Sequence, residues 1–197
     1  MNIKRHFSDF SDGILSGRHS FILELDKNGF HIDNKNLVEM VCNFTNIVIK
    51  GDEKLEQRND IDYLIKNVKK KNSRCSFMIY IDGTKQPFSL GKYDDTFIMV
   101  NLKLKKSKIN YTDRIIPGAL DQYNQLNSFF IFNITNDEEY DEVVSIVTDI
   151  GLYKSKIYLE TNADADDAFF RKTAICGYNY VLSIRKNKIN DECDIND

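Results

Sequence analysis

What the chain lacks narrows its chemistry first. Its four cysteines, Cys42, Cys75, Cys176 and Cys193, stand far apart, with none of the paired spacings that build zinc or iron–sulfur sites. Free thiols are expected, with Cys42 and Cys75 as core fillers in or beside apolar segments and Cys193 in an exposed tail. Phosphate-cradling glycine loops, nucleophile elbows and zinc motifs are missing as well. No long apolar stretch follows Met1-Asn2-Ile3-Lys4-Arg5-His6, so neither a secretory signal nor a membrane span is expected, and the cytosol is the expected location. A strong charge of one sign is also lacking. The net charge of -3 gives no global reason to bind nucleic acid or an anionic membrane.

What is present points to a folded α/β chain. Its 197 residues suffice for one domain with a substantial core but not for two comfortable ones, and 42% hydrophobic residues can supply that core. The boundaries fall at 1–187 for the domain and 188–197 for a polar tail rich in Asn, Asp and Ile. The organising stretch is Asn46-Ile47-Val48-Ile49-Lys50-Gly51-Asp52-Glu53, where an apolar β-branched run stops at a glycine followed by two carboxylates. The run is too short for a helix and too continuously apolar for a half-exposed strand, so it reads as an interior parallel strand. Leu37, Val38, Val41 and Phe44 recur at helical spacing before it, behind Asn34 or Asn36 as cap. Ile61, Leu64, Ile65 and Val68 do so after it, behind Asn59 and Asp60, ending in Lys69 to Lys71.

The same alternation runs along the rest of the chain. Residues 1–17 read as a polar lead-in with turns at Gly13 and Gly17. Strands are expected at 20–25, 76–81, 96–100, 129–132, 156–159 and 178–184, with Phe30-His31-Ile32 returning as a short hairpin arm after the Asp26-Lys27-Asn28-Gly29 turn. Pro117-Gly118 marks a connection. Thr135-Asn136-Asp137-Glu138 offers a capping box for a helix through Tyr140, Val143, Val144, Val147 and Ile150 to Gly151, and a further helix is expected over Ala165 to Ala174. Strands alternating with helices imply a mostly parallel sheet, open or closed into a partial barrel. In such sheets ligands gather at the carboxyl ends of the strands, which makes Lys50 to Lys54 part of any functional face.

Other polar clusters have plainer readings. His6, His19 and His31, with Asp9, Asp12 and Asp33, fit no metal spacing and read as scattered surface residues. The run Ala163-Asp164-Ala165-Asp166-Asp167 reads as an acidic helix start. Lys103, Lys105, Lys106 and Lys108 read as a solvated face, since lysines without interleaved arginines and aromatics are a weak nucleic-acid signal. Asp52, Glu53 and Asp82 could converge at the strand ends and hold a divalent ion or shift one another's proton affinity, but no nucleophile accompanies them.

The order of these segments resembles the radical S-adenosylmethionine enzymes, and among them the 7-carboxy-7-deazaguanine synthases. Ser11-Asp12-Gly13 and Gly17-Arg18-His19-Ser20-Phe21-Ile22-Leu23-Glu24 follow the order of that family's opening Gly-Glu-Gly segment, further glycine and first strand. Lys50-Gly51-Asp52-Glu53-Lys54 stands where the family has Thr-Gly-Gly-Glu-Pro, and Tyr80-Ile81-Asp82-Gly83-Thr84 where it has Glu-Thr-Asn-Gly-Thr. Asn101-Leu102-Lys103 is similar to its Ser-Pro-Lys, and Arg185-Lys186-Asn187-Lys188 to its Arg-Leu-His-Lys. The resemblance implies a partial barrel with a pocket lined by Glu24, Gly51, Asp52, Glu53, Asp82, Gly83, Thr84, Lys103 and Arg185.

The departures decide what the resemblance implies for activity. Family members hold a four-iron, four-sulfur cluster on three cysteines in the loop after the first strand, and here that loop, Asp26 to Asn36, has none. Neither the cluster nor S-adenosylmethionine is therefore expected as a cofactor. Asp52 replaces a glycine, Lys54 a proline, Glu24 an arginine and Asn187 a histidine. The expectation is a pseudoenzyme that binds a protein partner or a second copy of itself as a structural or regulatory component. An Asn-, Lys- and Ile-rich composition is compatible with a virus or phage, which would add the virion to the possible locations. The alternatives are a retained site for a purine- or pterin-like small molecule, with or without slow chemistry by the strand-end carboxylates, and a nucleic-acid role through Lys103 to Lys108.

Overall fold

A run such as Ile47-Val48-Ile49 can bury both of its faces only inside a sheet, and the computed structural model places it there with all three side chains fully buried. The structure describes residues 1–11, 13–51, 56–85, 95–162 and 177–183. Among these residues nine strands form one sheet: β1 (Asn2–Phe10), β2 (His19–Leu25), β3 (Phe30–His31), β4 (Asn46–Gly51), β5 (Ser76–Asp82), β6 (Thr96–Leu102), β7 (Ser128–Asn133), β8 (Ile157–Asn162) and β9 (Asn179–Ser183). Their spatial order is β3-β1-β2-β4-β5-β6-β7-β8-β9. From β2 to β9 every pairing is parallel, and β1 runs antiparallel to both β2 and β3. The chain is thus α/β, with a mostly parallel open sheet.

The order has no reversal point, and right-handed crossovers between consecutive strands then put every connecting helix on one face. The helices among the described residues are α1 (Asn34–Val41), α2 (Arg58–Lys71), α3 (Tyr111–Arg114), α4 (Pro117–Gln125) and α5 (Asp137–Ile150). Buried side chains of α1, α2, α4 and α5 join Ile47, Ile49, Phe77, Ile79 and Phe130 in one large core. The opposite face alternates with it. There Ile22, Val48, Met78, Met99 and Ile131 pack under Leu15, which comes from the 3-10 turn Gly13–Leu15 between β1 and β2. The close fit requires a glycine at 13: its φ is 62°, and an added Cβ would lie 3.0 Å from Tyr80 Oη and 3.1 Å from Met99 Cε.

Several elements depart from the sequence expectation. The lead-in is a nine-residue strand, β1, whose polar, half-exposed residues give little apolar signal because it lies near the sheet edge. The arm at Phe30 pairs with β1 instead of its hairpin neighbour β2, because β1 already occupies that edge of β2. Asp33, not Asn34 or Asn36, caps α1, accepting from the Lys35 and Asn36 N–H groups. At α2 the cap position is Gln57, which makes no side-chain cap bond and is used instead on the backbone of Asn2. Pro117 begins α4 at a position where its missing N–H costs nothing. The acidic run at 163–167, the helix expected over 165–174 and the tail lie outside the described residues.

Candidate functional site

In this sheet the carboxyl ends of β2 and β4–β9 share one end of the molecule, and alternation fixes which residues there face away from the helices. On that helix-free side Ile22 is followed by Glu24, Val48 by Lys50, and Met78 by Tyr80. Glu24 and Lys50 are register partners, and further across the sheet Asp82 pairs with Asn101 and Asn133 with Glu160. The apolar floor made by the methionines therefore gives way to a polar rim built from successive strands.

Four rim residues form a charged group. Arg5, reaching from β1, holds Glu24 with both ends of its guanidinium, Nε to Oε2 at 2.7 Å and Nη2 to Oε1 at 2.8 Å. Those bonds hold the Glu24 carboxyl below the usual range against the opposing effect of burial, with Lys4 and Lys50 adding to the attraction. Lys50 Nζ lies 4.8 Å from the centre of the Tyr80 ring, within cation–π range. The result is a row of Arg5, Glu24, Lys50 and Tyr80 in which cations outnumber carboxylates.

The other expected pocket residues have different surroundings. Gly51 has φ 113°, and an added Cβ would come within 2.2 Å of the Leu25 carbonyl oxygen, so the glycine is required by the approach of β4 to β2. Asp82 accepts the Thr84 N–H at 2.9 Å and closes its own turn. It also lies close enough to Tyr123 to add to the burial that raises that phenol's pKa. Gly83 is packed under Leu102, whose Cδ2 an added Cβ would meet at 2.3 Å. Lys103 is half-buried, and its carbonyl accepts from Arg114 Nη1 at 2.9 Å. Asp52, Glu53 and Arg185 lie outside the described residues. Sequence reading left out Arg5 and Tyr80, and the signal that finds them is the β1 register opposite Glu24 and the two-residue step from Met78.

The remaining polar clusters are dispersed or already engaged. His6 stacks on Phe21, His19 on Phe44, and His31 Nδ1 lies 3.0 Å from Asn2 Oδ1. No group of three or more His, Cys, Asp or Glu side chains among the described residues could hold a metal ion. Lys106 pairs with Glu139 at 3.0 Å, and the Lys105 N–H donates to Glu142, so much of the basic segment lies against α5. No helix among the described residues is long and apolar enough to cross a membrane. Cys75 is fully buried, which pushes its thiol up to about 12, whereas Cys42 is half-buried. No protein-family model matches the chain, and no curated protein matches its sequence.

Proposed function

We propose that this chain is a noncatalytic protein of radical S-adenosylmethionine-like architecture, similar to the 7-carboxy-7-deazaguanine synthases, that works by binding protein as a structural or regulatory component. The observation that carries this reading is the loop after β2. Where the family places three thiolates, Asp26 to Gly29 closes a tight turn: Asp26 accepts the Asn28 N–H through its side chain at 2.8 Å and the Gly29 N–H through its carbonyl at 3.0 Å. That turn offers no thiolate to iron, and its cap-like bonds leave Asp26 committed to the backbone. Cys42 and Cys75 precede β4 and β5, at the amino ends of the strands, and a seven-residue strand at ~3.3 Å per residue separates that end from the carboxyl face by about 20 Å. At position 24, where the family carries an arginine, this chain has a carboxylate, and the Arg5 guanidinium from β1 binds it.

Anaerobic reconstitution with iron and sulfide tests the loss of chemistry. The purified protein is expected to take up no cluster and to leave S-adenosylmethionine uncleaved; stoichiometric iron and sulfide would overturn the reading. Native mass spectrometry of protein isolated from its natural source tests the binding role, with a stoichiometric protein complex and no small added mass expected. A second reading, a site for a purine- or pterin-like molecule, is favoured by Lys50 beside the Tyr80 ring on the polar rim. Ligand-induced thermal stabilisation that is lost on replacing Lys50 and Lys103 together would establish it over the first.

A further inference from the structure

Sequence spacing offers Asn34 and Asp60 as helix caps, yet the cap positions of α1 and α2 belong to Asp33 and Gln57. Asn34 and Asp60 turn instead to Met1, which is only 1% exposed. The Met1 α-ammonium donates to the Ile32 carbonyl at 3.0 Å and to Asn34 Oδ1 at 3.1 Å, and Asp60 Oδ2 lies 3.4 Å away as its counter-ion. Asn34 Nδ2 donates to Asp60 Oδ1 at 2.7 Å, so the amide and the carboxylate hold each other toward the cation. Backbone groups close the site around it. The Ile32 N–H donates to the Met1 carbonyl at 3.0 Å, while the Gln57 side chain accepts from the Asn2 N–H at 2.6 Å and donates to the Asn2 carbonyl at 3.1 Å. The start of β1, the β3–α1 junction and the first turn of α2 thus meet at one nitrogen.

We propose that Ile32, Asn34 and Asp60 form a socket for a primary ammonium, and that the chain reaches its full stability only when the Met1 amine is free, which makes this amine a modification site that the fold reads. A carboxylate in the first turn of a helix is stabilising without any partner, but the dipole alone does not call for two further acceptors beside it. An ammonium does, because it carries a charge and three N–H donors, and the socket faces it with two neutral oxygens and a charged one. An acylated Met1 nitrogen keeps one N–H and no charge. One of the neutral oxygens and the Asp60 carboxylate then lose their partner, and the added atoms need room where Met1 is enclosed. Asp60, 37% exposed, keeps water on its outer side, so the socket is closed around the nitrogen and open behind the carboxylate. The amine is freed by hydrolysis of a formyl amide on Met1 or of a peptide bond before it; each consumes one water, and both leave the same ammonium.

Thermal melts of four full-length proteins, with circular dichroism as the control for folding, test the socket: the chain with a free Met1 amine, the chain with a short glycine–serine extension before Met1, and each of these with Asp60→Asn. The extended chain is expected to melt roughly 5 °C below the free-amine chain. Asp60→Asn is expected to lower the free-amine chain by a similar amount and the extended chain by much less, because in the latter the carboxylate has no ammonium to meet. The contribution of Asp60 to the α2 dipole is the same in both chains and cancels in the comparison. An extended chain that melts with the free-amine chain, or an Asp60→Asn loss of equal size in both, would overturn the proposal. Intact-mass and amino-terminal sequencing of pulse-labelled protein from the natural source separate the two origins of the amine: a formylated precursor points to the first hydrolysis and a longer one to the second. A mature protein that keeps an acyl group or preceding residues on Met1 would overturn the proposal as well. None of these results bears on a cluster site or a protein partner, so the noncatalytic reading stands or falls separately.

Discussion

At the scale of single residues, the strand-end glycine and the Arg5–Glu24 pair make opposite demands. Gly51 combines a left-handed φ with a backbone approach that leaves no room for a Cβ. Gly51→Ala is therefore expected to cost about 2–4 kcal/mol, read as a lower urea midpoint at unchanged slope, from strain and overpacking together. A purely ligand-related glycine would instead leave stability intact. Glu24 contributes through charge. Its carboxyl is held below the usual range in the folded state, so its contribution is fully present above the unfolded carboxylate pKa of about 4.3 and is lost as pH falls through the lower folded value. Because Arg5 is exposed, solvent screening holds this contribution to about 1 kcal/mol at most. Thermal melts of wild type and Glu24→Gln are expected to differ at neutral pH and to converge only as pH falls from the unfolded carboxylate value through the lower folded one.

At the scale of elements, α5 shows how local chemistry is read correctly in kind and wrongly in place. The capping residues and the Gly151 stop are legible in the sequence, and Gly151 does end the helix at φ 73°. The cap itself is shifted by one residue. Asn136 accepts the Glu139 N–H at 2.9 Å, and the Glu139 carboxylate returns to the Thr135 N–H and hydroxyl at 2.6 and 3.0 Å. Thr135 and Asn136 are both good caps, so spacing alone could not choose between them. Asn136→Ala is expected to destabilise by about 1 kcal/mol in chemical denaturation, with Thr135→Val costing less. The central strands were equally legible, because both their faces are apolar. β1 and α4 were not: β1 carries Lys4, Arg5 and His6 in a row on an exposed edge, and α4 begins at a proline and a glycine that also suit a turn. At the candidate site, Glu24 and Asp82 could be picked out from segment order, but the pairing of Arg5 with Glu24 depends on an antiparallel register that no local pattern announces.

At the scale of the whole molecule, the one-way strand order creates a problem that the amino-terminal segment solves. Helices on one face leave the other face to be covered by something else, and there Leu15, with Ile14 and Phe7 beside it, shields a surface that includes two buried methionines. Leu15 is only 2% exposed, so its burial alone contributes about 2 kcal/mol. The same segment also gives β2 its second neighbour. Leu15→Ala is expected to cost about 2–4 kcal/mol while remaining cooperative, since it opens a cavity in an otherwise intact cover. Deleting residues 1–18 removes both the cover and the β1 ladder, a loss comparable with the total stability of an ordinary domain, about 5–15 kcal/mol. The truncated chain is expected to bind a hydrophobic dye and to lose its cooperative melt, whereas Leu15→Ala keeps the melt and binds little dye. If the truncated chain instead melted sharply, the helix face alone would suffice to hold the sheet, and the helix-free face would be left as an open surface at the strand ends.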